Sequence, residues 1–318
     1  MKYDDIGSFP LPAGIDRAWI ERNISSKEYE EMVQRAFIMK SRYVGLPNYP
    51  QFRDMISMFL DPIKNPEFQD DAYLIDWSKA RIPELEYVER MKVERVRVCI
   101  TGPFELYYSE FKGLIYEDIL LNIAESVSRF ARNACKYDNV ECVSLDEPSL
   151  GLAPDLQPSD ELISMVYDIK IPADLQIHLH DPLYYEKVLE TKIDVIGIEC
   201  AKDLRNMNFL DSELIQSYEK KLRIGVARSD IDGIIAEFNA KHNLNSWGNH
   251  ELMMRAIDEI ESSDKIFERL KLAYDRFNDL LAYIGPDCGL FSFPSQEHAV
   301  KLLENVKVAF ERFKEWIM

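Results

Sequence analysis

Short apolar runs rich in Val and Ile alternate along the chain with longer amphipathic stretches. The clearest runs are RVCITGP (97–103), VECVSLDEP (140–148), LQIHLHDP (175–182), DVIGIEC (194–200), LRIGVARSD (222–230) and LLAYIGPDCG (280–289). Two earlier ones are DDIGSFP (4–10) and RYVGLPN (42–48). The stretches between them repeat their apolar positions at helical spacing, over 115–137, 159–170, 184–191, 249–277 and 295–316. Ser295, followed by Glu297 and His298, reads as the cap of the last helix. Strands that alternate with helices imply parallel strands joined by crossovers. Eight candidate strands predict a single (β/α)8 TIM barrel over residues 1–318, with a doubly wound open sheet as the alternative. Residues 11–95 are long for two βα units, so extra N-terminal helices are expected there, at MISMFLDP and PELEYVERMKVERV.

Composition agrees with one large α/β domain. The chain has 318 residues, 47% of them hydrophobic, and α/β barrels of about 250 residues or more form one unit. The formal net charge of −18 repels nucleic-acid phosphates and anionic lipid, so neither is expected as a partner. No basic region followed by an apolar stretch opens the chain, and no run of about 18 apolar residues occurs. The five cysteines are scattered, which fits a reducing compartment and a cytoplasmic protein.

Candidate chemistry collects where the runs end. Ser8, Thr101, Asp146, Glu147, His178, His180, Asp181, Glu199, Arg228 and Asp230 all close or follow an apolar run, the rim at which barrel enzymes carry their sites. In His178-Leu179-His180 the two imidazoles share one side of a strand, because side chains at i and i+2 point the same way. Glu199 shares a face with Val195 and Gly197, and the glycine leaves room beside it. Cys200 points oppositely and reads as a buried structural cysteine. An inward carboxylate in an apolar strand must be paired or bound to a metal. Cys288, in the GPDCGL turn, completes a four-ligand set with His178, His180 and Glu199. A thiol donor makes zinc a better guest than magnesium or calcium. Asp146 and Glu147 are adjacent on a strand and diverge, which argues against a glycosidase acid pair.

IGSFP at 6–10, TGP at 101–103, DEP at 146–148, the H-x-H pair at 178–180, IE at 198–199 and PDCGL at 286–290 occur in an order that resembles the catalytic C-terminal barrel of cobalamin-independent methionine synthase. The resemblance spans residues 4 to about 305. It implies a zinc site in which His178, Glu199 and Cys288 are ligands, with Ile6, Gly7 and Ser8 contacting homocysteine and Asp146 binding its amino group. Asp146 and Ser8 are then the expected catalytic residues. The chain is similar to short, single-barrel members, which implies a small-molecule thiol acceptor. The implied methyl donor is a methylated corrinoid, carried on a protein or as methylcobalamin, or methyl-folate.

Three positions depart from the family pattern. The family H-x-C reads His178-Leu179-His180, so a thiolate ligand becomes an imidazole. Zinc with His, two thiolates and a carboxylate carries a net charge of −1, whereas with this chain's set it is neutral. The family's D-M-V-E-Y-F reads Asp54 to Phe59, placing Ser57 where an amine-binding Glu belongs. Its V-Y-D-x-H-S reads Val226 to Ile231, so a His is missing and Arg228 is free to contact an acidic substrate group. The last two changes point to a different thiol, or one held differently. A metal-dependent hydrolase and a non-catalytic binding paralogue remain the readings from other classes.

Overall fold

The computed structural model describes residues 1–318. Its strands are β1 (Lys2–Tyr3), β2 (Gln69–Asp71), β3 (Leu74–Ile75), β4 (Val96–Thr101), β5 (Val140–Asp146), β6 (Asp174–Leu179), β7 (Val195–Ile198), β8 (Lys221–Ala227) and β9 (Leu281–Pro286). Seven form one sheet in the order β1-β9-β8-β7-β6-β5-β4, and β2 and β3 form a separate antiparallel pair. β1 pairs with β9, β4 with β5, β5 with β6 and β6 with β7, each in parallel. Thirteen α-helices accompany them, so the α/β class read from the alternation holds. No helix is long and apolar enough to cross a membrane.

The eighth expected strand, 42–48, does not form one. It is reduced to a bridge between Asp4 and Leu46, followed by a second between Ser8 and Gln51. The backbone explains the loss. Pro47 and Pro50 have no N–H to give to a ladder, and the N–H of Asn48 is spent on Asp5 Oδ1 at 2.8 Å. The buried Lys40 closes this knot, with Nζ 2.6 Å from Asp5 Oδ2 and 3.1 Å from the Asn48 carbonyl.

Helix limits also shift. The stretch 249–277 is two helices, His250–Ile260 and Ser263–Phe277, because the Ser262 side chain accepts from the Lys265 N–H and starts the second. In PELEYVERMKVERV only Pro83–Glu89 is helical, and Lys92 adopts a positive φ of 55°. Ser295 caps the final helix, Gln296–Ile317, as expected.

The chain groups into two compact units, one of Met1–Phe52, Glu199–Met207 and Arg223–Met318, the other of Arg53–Ile198 and Asn208–Leu222. The second holds β4 to β7, whose residues are almost all buried, as parallel strands covered on both faces require. The helix Glu117–Ala134 packs in it through Leu120, Ile123, Val127 and Phe130, and Phe130 meets Phe59 edge-on at 5.2 Å. Each such side chain contributes about 1.5–3 kcal/mol on burial. The first unit is built on a fully buried ion pair, Arg223 Nε to Asp4 Oδ1 at 3.0 Å. Gly285 makes room for it, since a Cβ there would lie 2.3 Å from the Asp4 carbonyl oxygen and 2.7 Å from Arg223 Nη2.

Candidate metal centre

Strand alternation sets the first two ligands. His178 lies in β6 level with Asp146 of β5 and Gly197 of β7, and His180 follows one residue beyond the strand end. Their rings are 5.3 Å apart at 67°, on one side as the H-x-H spacing requires. Glu199 directly follows β7, and Cys288 comes two residues after β9. One ligand atom from each of His178, His180, Glu199 and Cys288 lies within 4.8 Å of every other. A tetrahedron with metal–ligand distances of about 2.0–2.3 Å has edges of roughly 3.3–3.8 Å, so a contraction of about 1 Å seats an ion. Two imidazoles, a carboxylate and a thiol form a donor set suited to zinc.

A residue the sequence reading did not single out holds two of the ligands in place. Asp287 is buried, and its carboxylate accepts the N–H groups of Cys200, Ala201 and Lys202 at 2.9, 2.8 and 2.8 Å. Its own N–H donates to the Ala227 carbonyl at 2.7 Å. The segment that carries Glu199 is thereby fastened to the residue preceding Cys288. Burial, and then the nearby Glu199 charge, push the Asp287 carboxyl up to about 7. Gly225 is needed beside it, because a Cβ there would lie 2.0 Å from Asp287 Oδ1. A glycine inside the apolar run 222–230 was the only sequence signal.

The other expected site residues divide. Ser8 packs onto the Cys288 turn: its carbonyl accepts from the Leu290 N–H at 2.9 Å, and its hydroxyl lies 1.8 Å from where a Gly289 Cβ would be. Ile6 is buried, and the Gly7 carbonyl accepts from the Gln51 N–H at 3.0 Å. Asp146 is buried at the end of β5, accepting from Cys99 Sγ at 2.8 Å and Ser144 Oγ at 3.0 Å. Ser57 opens the helix Ser57–Lys64 and bonds locally to Asp54. The guanidinium of Arg228 faces carboxylates of its own chain, Asp230 at 3.0 Å and Glu237 at 2.7 Å, which already occupy the role expected of an acidic substrate group. Cys200 is buried, as read.

Glu147, the second acid of DEP, has a structural task. The helix Pro103–Phe111 has Gly102 at its N-cap and no capping side chain of its own. Glu147, the residue after β5, supplies the cap, accepting the N–H groups of Phe104 at 3.1 Å and Glu105 at 2.7 Å, and the Tyr167 hydroxyl at 2.8 Å. Burial pushes its carboxyl up to about 8, against the pull of Tyr167 and the two N–H groups. A carboxyl whose folded pKa is raised stabilises the fold below its unfolded pKa, and that contribution is lost as pH rises through the folded value. Glu147→Gln, a neutral isostere, is therefore expected to gain on the wild type between pH 5 and pH 8, by up to about 1.4 kcal/mol per pH unit. Urea midpoints at the two pH values measure this, and parallel profiles would refute it.

No family model matches this chain. It is 22% identical over 338 residues to methionine synthase of Sulfurisphaera tokodaii, covering 95% of this chain and 89% of that one. It is 24% identical over 336 residues to methionine synthase of Pyrococcus abyssi, covering 95% and 90%. The chain is a relative of the methionine synthases. The resemblance read from IGSFP, DEP and PDCGL is thereby borne out. Solved structures share the fold across nearly the full length. A B12-independent methionine synthase from Shewanella sp. W3-18-1, in complex with selenomethionine, superposes with a TM-score of 0.65 at 12% identity, covering 99% of this chain and 98% of that one. A Listeria monocytogenes chain assigned as a vitamin-B12-independent methionine synthase gives 0.64 at 16% identity, covering 98% of each. These names lend no support to the corrinoid donor expected for a methionine synthase relative of this length.

Proposed function

We propose that this chain is a zinc-dependent methyltransferase that moves a methyl group onto a thiol, homocysteine foremost, to give methionine. The scaffold would be one (β/α)8 barrel domain in which residues 44–51 stand in for the missing strand. The observation that carries the reading is the convergence of His178, His180, Glu199 and Cys288 within 4.8 Å, in a relative of methionine synthases. Zinc held by these four residues would supply Lewis acidity that keeps a thiol ionised at neutral pH, where a free thiol of pKa about 8.5 is mostly protonated.

The chain's own residues supply the rest. Asp146, level with His178, offers a carboxylate oxygen to the substrate ammonium group. Ile6, Gly7 and Ser8 would contact the amino acid, and Ser8 holds the Cys288 turn. Transfer needs the sulfur, the methyl carbon and the leaving atom in line. The sulfur lone pair forms the S–CH3 bond as the methyl–donor bond breaks with its electron pair staying on the donor; the thiol proton leaves to water, and the donor nitrogen of methyl-folate takes one up. We take methyl-folate as the first donor to test. A second thiol stays in view because Ser57 stands where the family has an acid, and Arg228 is held by Asp230 and Glu237.

The test is purification with metal analysis, then methyl transfer to homocysteine and to other thiols from methyl-folate and from methylcobalamin. A folded, metal-free protein without transfer would overturn the proposal, and ester or amide hydrolysis would favour the hydrolase. His180 gives a sharper check. His180→Cys adds one negative charge to the site, so the bound thiol should titrate at higher pH, by about one unit or more, and react faster once ionised. Unchanged zinc affinity and an unchanged pH profile of kcat/KM would count against His180 as a ligand.

A further inference from the structure

A second concavity lies at the other end of β5. Residues 133–137 lead into its amino end, whereas Asp146 closes its carboxyl end; at ~3.3 Å per residue the two ends are about 20 Å apart. The cavity measures about 370 Å³, within the roughly 300–1,000 Å³ of small-molecule sites. Its apolar walls are Trp77, Leu85, Phe130 and Tyr137, and its polar members include Asn133, Arg81 and Lys136.

Three features give this cavity the character of a built site. The Trp77 side is 40% exposed, which is unusual for so large a ring, yet it is fixed from outside. The guanidinium carbons of Arg129 and Arg132 stand 5.3 and 5.8 Å from its ring centroid, and Asn133 Nδ2 donates to its carbonyl at 2.8 Å. The same Nδ2 donates to the Ala80 carbonyl at 2.8 Å, so the amide cannot turn over. Asn133 thereby ties together the Trp77 and Ala80 backbones, two residues that line the cavity. The charge at this place is also opposite to that of the whole. In a chain of net charge −18, the cavity is lined by Arg81, Lys136 and one acid, Glu86, which Arg81 already holds by two bonds at 2.6 and 2.7 Å. Lys136 is exposed and makes no ion pair.

We infer that this cavity binds a flat aromatic acid. Its rings lie among Trp77, Leu85, Phe130 and Tyr137, and its anionic group meets Lys136 at the mouth. The site is separate from the metal centre and does not depend on the methyltransferase reading.

The probe is 8-anilinonaphthalene-1-sulfonate, which carries two aromatic systems, an N–H and a sulfonate. Titrated into the full chain, it should bind saturably at one site with a rise in fluorescence excited through tryptophan. Trp77→Ala and Lys136→Glu should each weaken binding by roughly tenfold, and Cys288→Ala should leave it unchanged. N-phenyl-1-naphthylamine, the same ring system without the sulfonate, should bind roughly tenfold more weakly. Should Trp77→Ala disturb folding, Lys136→Glu on the exposed rim remains decisive. Unchanged affinity in Lys136→Glu with wild-type circular dichroism, or equal binding of the two probes, would overturn the inference.

Discussion

Cys288→Ala is expected to lose stoichiometric zinc and, with it, detectable methyl transfer, while the fold persists. Removing the thiol leaves three donors and takes away the softest one, which contributes most to selectivity for zinc. A fall in metal affinity of at least 100-fold is the expected scale, since disturbing even the residues that orient ligands costs about 10–100-fold. Stability should change little, because the turn is held by other groups. The Cys288 N–H donates to Ser229 Oγ at 3.1 Å, the Leu290 N–H to the Ser8 carbonyl at 2.9 Å, and Asp287 anchors the preceding residue. Metal analysis after dialysis and a urea midpoint within about 0.5 kcal/mol of wild type would together support the assignment. Zinc retained at one equivalent would remove Cys288 from the site. Asp287→Asn tests the positioning role separately. It turns an amide N–H towards backbone N–H groups, so zinc affinity should fall about 10–100-fold although no ligand has been changed.

How much of this was legible in the sequence depends on where each residue's partners lie. The buried parallel strands read directly, since strands covered on both faces are near-continuous apolar runs. The H-x-H pair read directly as well, because its geometry follows from alternation within one strand. The run 42–48 misled because apolar pattern and ladder capacity are different properties. Gly45, Pro47 and Asn48 sit in an apolar context, yet Pro47 has no donor and Asn48 gives its own to Asp5. The stretch 249–277 kept its helical period through Ser262, and only that side chain's bond to the Lys265 N–H marks the break. The structural tasks of Glu147 and Asp287 were not legible. Glu147 caps a helix that begins more than forty residues before it, and Asp287 gathers N–H groups 85–87 residues away. No local pattern encodes either partner. Arg228 is the opposite case: Asp230 and Glu237 lie two and nine residues along, close enough for a chain-internal pairing to have been foreseen.

Arg223→Met should be strongly destabilising, at about 3–5 kcal/mol, the scale measured when one partner of a buried ion pair is removed. Both side chains are fully buried, so deleting the guanidinium removes a charge that the Asp4 carboxylate meets at 3.0 Å, in an interior where water cannot replace it. The loss also strands an acceptor, because Arg223 Nη2 donates to the Pro286 carbonyl at 2.7 Å. Gly285 closes off the remedy of local collapse: the Asp4 backbone already sits where a side chain at 285 would be. Replacing both partners, as Asp4→Leu with Arg223→Met, should recover more than half of the loss, since two apolar groups need no pairing. Urea unfolding of the two single variants and the double variant measures the coupling. A single-variant loss below about 1 kcal/mol, or a double variant worse than either single, would rule out the pair as a structural anchor. The bond to Pro286 links this pair to the metal centre, since Asp287 and Cys288 follow directly. Arg223→Met should therefore shed zinc under conditions where its circular dichroism is still native, because the turn that presents Cys288 loosens before the rest of the chain unfolds.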